Sequence, residues 1–105
     1  MITDAQLQLE IEAAAFRKLR AHLIEKRPDV QNIDMMNTTG FCRNCLSRWL
    51  QEAANERGLD MTKDEGREQF YGMPFDEWKA LHQTDADGAK LENFKQAYSE
   101  NVDHK

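Results

Sequence analysis

Branched aliphatic residues are scarce: Val and Ile together fill six of the 105 positions. No stretch alternates apolar with polar side chains for more than a few residues, so strands are poorly supported. No apolar run approaches the roughly 20 residues that a membrane helix needs. Positive charge is in deficit, with 14 Lys and Arg against 19 Asp and Glu and a net charge of −5. Nucleic-acid binding runs on phosphate neutralisation, so this balance argues against it. The basic residues that cluster near the N-terminus (Arg17, Lys18, Arg20, Lys26, Arg27) are interrupted by Glu10, Glu12 and Glu25, as on a solvated helix face. Bulky core formers are thin too, because alanine supplies eleven of the apolar residues. A short, polar chain gains by burying a face against a second copy, so a homodimer is expected.

Other absences narrow the chemistry. There is no Ser-His-Asp order, phosphate loop or H-E-x-x-H. The N-terminal MITDAQLQLE has no basic leader before an apolar stretch, unlike a secretory signal. The chain has two cysteines, which without a leader suggest a reducing cytoplasm and resting thiols.

What is present is helical punctuation. Thr3, Thr38, Thr39, Thr62 and Thr84 each fall where a helix would begin, and a threonine hydroxyl at that position accepts from an unpaired backbone N–H. Thr3-Asp4-Ala5-Gln6 and Thr62-Lys63-Asp64-Glu65 read as full capping boxes. The pattern predicts a first helix over about 4–27, a short one over about 28–36, and a cysteine helix over about 40–57 closed by Gly58. Further helices are predicted over about 63–71 ending at Gly72, through PFDEWKALHQ after Pro74, and over about 85–100. The expectation is one compact all-α domain over residues 1–105, of four to six helices, with 99–105 as a flexible tail.

The two cysteines stand in NTTGFCRNCLSRWL. At about 100° per residue, Leu46, Trp49 and Ala53 fall within about 40° of Cys42, while Cys45, Leu50 and Phe41 extend the same arc. Arg43, Asn44, Ser47 and Arg48 take the opposite side. The favoured reading is packing, with both thiols as small core residues. A redox pair is the alternative, because the helix N-terminus and Arg43 both favour thiolate; Cys42, nearer the helix start, would attack and Cys45 would resolve. Against it, no βαβ context surrounds the motif, and the histidine and glutamate of helical thiol peroxidases are missing from Leu46–Gln51 and Met36–Phe41. A metal site would need more ligands than Cys42 and Cys45, for instance a second copy of the pair across a dimer axis.

His22 and His82 read as packed or surface residues, and His104 as part of the tail. Asp64-Glu65 and Asp76-Glu77 complement helix dipoles. QTDADGAK fails as a calcium loop, since Gln83 and Phe94 would occupy the first and last ligand positions. FYGMPFDEW crowds Phe70, Tyr71, Met73, Phe75 and Trp78 around a glycine–proline corner, a packed elbow or the wall of an apolar groove shared with Phe41 and Trp49.

Together, NTTGFCRNCLSRWL and FYGMPFDEWK resemble the signature of a small proteobacterial family, the domain of unknown function numbered 1244. The resemblance implies an all-helical fold and no established activity. The functional expectation is a cytoplasmic, non-catalytic binding or interaction module without a cofactor. Its surface would comprise Phe41, Cys42, Cys45, Trp49, Tyr71, Met73 and Trp78. Thiol–disulfide or transition-metal chemistry at Cys42 and Cys45 is the alternative.

Overall fold

The computed structural model describes residues 4–102. Among them the chain forms α1 (Ala5–Ala21), a π-helical turn (His22–Lys26), α2 (Asn32–Thr39), α3 (Arg43–Glu56), α4 (Lys63–Tyr71), α5 (Phe75–His82) and α6 (Gly88–Asn101). The expected all-α domain is the fold observed. Thr3 lies outside the described residues, and Asp4 is the N-cap of α1, accepting from the backbone N–H groups of Gln6 and Leu7. The Thr62 capping box is formed on both sides: Thr62 accepts from Glu65 N–H at 3.1 Å, and Glu65 accepts from Thr62 N–H at 3.2 Å.

Several boundaries differ from those expected. The 28–36 helix starts later, at Asn32, and runs through Thr38 and Thr39 instead of stopping before them. Thr39 turns its hydroxyl back to Met35 carbonyl at 2.6 Å, so these threonines close α2 and do not open α3. Gly40 then takes a left-handed φ of 86°, and a Cβ there would sit 2.6 Å from Asn101 Cγ. Glycine is required both by the turn and by the approach of α6. In the last helix Asp87, not Thr84, is the N-cap. Residues 99–101, expected in a flexible tail, complete α6, and Val102 is buried; residues 103–105, with His104, lie outside the described part.

Two core clusters meet along α3. Cys42 and Cys45 pack with Met35, Met36, Ala97 and Val102 from α2 and the α6 end. Leu46 packs with Phe70, Tyr71 and Trp78 from α4 and α5. Gly66 lets α4 lie close on α3, since a Cβ there would be 3.1 Å from Ser47 carbonyl oxygen and 3.2 Å from Gln51 Cβ. By contrast α1 has no buried residue, and Leu7, Leu9, Ile11 and Leu19 are exposed on it.

The polar side expected for Arg43 and Ser47 is corrected most sharply: Arg43 is 1% exposed and Ser47 2%. The Arg43 guanidinium donates to three carbonyl oxygens, Leu23 (3.0 Å), Arg27 (2.8 Å) and Val30 (2.6 Å), and to Asn32 Oδ1 (2.9 Å). It lies over the Trp78 ring, 5.4 Å from the centroid. Burial alone lowers its pKa from the ordinary value, but a guanidinium stays charged at any working pH. Arg43 thus caps the carbonyl end of the first helical segment and ties it to α2 and α3. Arg20 does a similar service for α4 by donating to Phe70 carbonyl.

Replacing Arg43 by methionine keeps an apolar stem but strands the Leu23 and Val30 carbonyls and Asn32 Oδ1, while the Arg27 carbonyl keeps only the Val30 N–H at 3.3 Å. Each buried group left without a partner costs about 1–3 kcal/mol, so urea unfolding of Arg43→Met should show a loss of at least about 3 kcal/mol. The exposed Arg17→Met control should stay within about 0.5 kcal/mol of the native protein. Equal stabilities for the two variants would contradict the role given to Arg43.

Candidate functional site

The six residues GFCRNC divide their work by position. Gly40 ends α2, and Cys42 is the N-cap of α3 in extended geometry, φ −143° and ψ −176°. Its carbonyl accepts from Cys45 N–H at 3.0 Å and from Leu46 N–H at 3.2 Å, which puts both cysteines on one turn. The helix therefore begins at Arg43, later than the expected Gly40. Arg43 is an unfavourable first-turn residue for the α3 dipole, and its side chain instead leaves for the carbonyls of the preceding segment.

Asn44 is held by the Tyr71 hydroxyl, which donates to its Oδ1 at 2.9 Å. Tyr71 in turn accepts from Asn32 Nδ2 at 3.2 Å, and Asn32 Oδ1 accepts from Arg43. Burial pushes the Tyr71 phenol well above its usual pKa, so it remains a donor. A continuous polar chain, Arg43–Asn32–Tyr71–Asn44, thereby fixes the start of α3 against α2 and α4.

Beside this chain lies a cavity of about 420 Å³. Cys42 and Cys45 line it, together with Ile33 and Met36 of α2 and Leu91, Phe94 and Tyr98 of α6. Asn32, Asn44 and Arg48 add polar groups, and the α5–α6 connection contributes Thr84, Asp85 and Ala86. That connection is fastened by Gln31, whose Nε2 donates to His82 carbonyl at 2.8 Å and whose Oε1 accepts from Thr84 N–H at 2.8 Å. Both cysteines are free thiols at 6% exposure, so what reaches them must come through this cavity.

The two thiols are electrostatically linked. The Cys42 thiol donates to the Cys45 sulfur, and this holds Cys45 down at about 6, from an ordinary 9, against the opposing effect of burial. Backbone N–H groups of the helix start and the Arg48 charge act in the same direction. Cys42 is pushed well up, first by that hydrogen bond and then by burial. The hydrogen bond thus lowers the Cys45 pKa and raises that of Cys42. Among the described residues no group of three or more His, Cys, Asp and Glu side chains is placed to hold a metal ion.

The expected surface is not brought together in one place. Cys42 and Cys45 line the cavity, whereas Phe41 and Trp49 stack beside each other with ring centroids 6.1 Å apart. Trp49, expected in the apolar arc, is 46% exposed, because the helix turns its packed face toward α2, α4 and α6. Tyr71 and Trp78 are buried with centroids 5.2 Å apart, and Met73 packs on the same cluster. His22 is exposed, while His82 stacks 4.1 Å from Trp78. Sequence reasoning missed Arg43, Asn44, Asn32, Met36 and Phe94. A cation in a first helical turn, against the dipole, was the available sign that Arg43 bonds elsewhere.

Residues 30–96 match a family model described as "Protein of unknown function (DUF1244)", the family that the two motifs resemble. No curated protein matches the chain.

Iodoacetamide should label Cys45 before Cys42 in the native protein. A thiolate fraction rises with pH up to its pKa, so the rate should climb about tenfold per unit below a midpoint near 6 and level off above it. A midpoint near the ordinary thiol value, or first labelling at Cys42, would contradict the lowered pKa of Cys45.

Proposed function

We propose that this chain, which belongs to the DUF1244 family, is a non-catalytic binding module whose ligand is a small, largely apolar molecule held in the thiol-lined cavity. The observation that carries this reading is the cavity itself: about 420 Å³, walled by Ile33, Met36, Leu91 and Phe94 and provided with a few fixed polar groups. Small-molecule sites fall at about 300–1,000 Å³ with this kind of lining. Asn32 and Asn44 are held by the Tyr71 hydroxyl, so their orientation is set before a ligand arrives. The buried Trp78 plays no direct part, and Trp49 stands apart from the cavity with Phe41. A reducing cytoplasm is the setting that suits two free thiols; among the described residues no helix is long and apolar enough to cross a membrane.

The homodimer belongs to the same proposal. The first half of α1 leaves Leu7 and Ile11 exposed, and such a helix gains by covering them. Glu10 and Glu12 precede Arg17 and Lys18 along it, so an antiparallel pairing of two α1 helices sets acids of one copy against bases of the other.

Two measurements test these statements. The fluorescent probe 1-anilinonaphthalene should bind at one site per chain, slow the alkylation of Cys45, and lose at least about tenfold in affinity in Leu91→Glu, whose charge desolvates on binding. No binding, or binding without protection of Cys45, would remove the pocket reading. Sedimentation equilibrium should give twice the chain mass, falling to one chain mass in Leu7→Asp/Ile11→Asp; a native monomer would remove the dimer.

A further inference from the structure

A cavity that only binds has no need of two cysteines on one helical turn in its wall. We infer that the pair reduces low-molecular-weight disulfides that enter the cavity, with Cys45 as the attacking sulfur and Cys42 as the resolving one. The inference rests on the pocket reading above. Three observations carry it. The 3.0 Å bond from Cys45 N–H to Cys42 carbonyl holds the two residues on one turn, as closing a disulfide between them requires. Both cysteines line the cavity, and so does Arg48, one turn beyond Cys45, which adds a positive charge. The cysteines are 6% exposed, which bars a disulfide carried on a folded protein and leaves a small one that fits the cavity.

The depressed pKa of Cys45 supports the same assignment, since the thiolate is the nucleophile. Cys45 Sγ⁻ attacks one sulfur of R–S–S–R; a new S–S bond joins Cys45 to that sulfur, the S–S bond of R–S–S–R breaks, and the other half leaves as R–S⁻. Cys42 passes its proton to that thiolate, directly or through water, and its own sulfur attacks Cys45 Sγ. The second R–S⁻ departs and takes a proton from solvent. The dithiol is oxidised by two electrons to the Cys42–Cys45 disulfide, and R–S–S–R is reduced to two R–SH. An excess of the small thiol runs the same steps backward and restores the dithiol.

The test uses the full chain and hydroxyethyl disulfide at neutral pH, followed by acid quenching and mass analysis. The native protein should reach the intramolecular disulfide with two small thiols released per chain. Cys42→Ser should stop at a stable adduct on Cys45, whereas Cys45→Ser should form its adduct at least about tenfold more slowly. Comparable rates in the two variants, or a faster Cys45→Ser, would overturn the assignment. If either variant has lost its helical spectrum, a brief pulse of substoichiometric probe on the native protein decides by peptide mapping: a first adduct on Cys45 supports the inference, and one on Cys42 overturns it. Native protein that binds 1-anilinonaphthalene yet gives neither adduct nor disulfide overturns the redox step and leaves the binding reading intact. Adducts without probe binding support the redox step and overturn the binding reading instead.

Discussion

The structure depends on one buried cation. Arg43 enters α3 at its first residue, where the helix dipole opposes positive charge, and sends its guanidinium to the other end of another helix. Among the described residues no carboxylate pairs with it. Its compensation is the partial negative charge of three backbone oxygens and one amide oxygen; the Arg27 carbonyl also accepts from Val30 N–H, whereas the Leu23 and Val30 carbonyls and Asn32 Oδ1 rely on the guanidinium. Each side of that exchange needs the other, so the connection from the first helix through α2 to α3 closes as one unit.

The candidate site inherits its geometry from that closure. Asn32 hands the network from Arg43 to Tyr71, and Tyr71 hands it to Asn44, the neighbour of Cys45. The N-terminal turn of α3 is therefore placed by a polar chain, and its two cysteines line a cavity walled by α2 and α6. The chemistry of the pair follows from position. A thiol at the N-cap donates to a sulfur three residues on, the helix N–H groups and Arg48 favour the anion there, and burial limits access to small molecules. The proposed binding and the proposed disulfide exchange would be two uses of this one arrangement.

Much of the fold was legible because it is written locally. Thr62-Lys63-Asp64-Glu65 forms its capping box, and Gly58 and Gly72 take the left-handed conformations that end helices. The apolar arc of α3 correctly turned Cys42, Cys45 and Leu46 inward. What escaped was everything that depends on a partner distant in the chain. Thr38 and Thr39 satisfy the same local rule as Thr62, yet Gly40 must be left-handed beneath Asn101, and the helix ends there instead of starting. Arg43 reads as a solvent residue on a wheel, because a wheel counts side chains by polarity and cannot see carbonyls twenty residues away. Trp49 reads as core on the same wheel and is half exposed. The cavity is formed by α2, α3 and α6 together, so its walls at Met36 and Phe94 carry no mark in any one segment.

The central claim, that a buried guanidinium holds the first helical segment, α2 and α3 together, has a direct physical readout. The Nε–H of Arg43, bonded to Leu23 carbonyl at 3.0 Å, exchanges with solvent only when that region opens. In a proton–nitrogen NMR spectrum at neutral pH its Nε–H signal should persist, with hydrogen exchange at least about a hundredfold slower than that of the exposed Arg17. Exchange of Arg43 Nε–H at the rate of Arg17 would show the side chain to be solvated and would contradict the account.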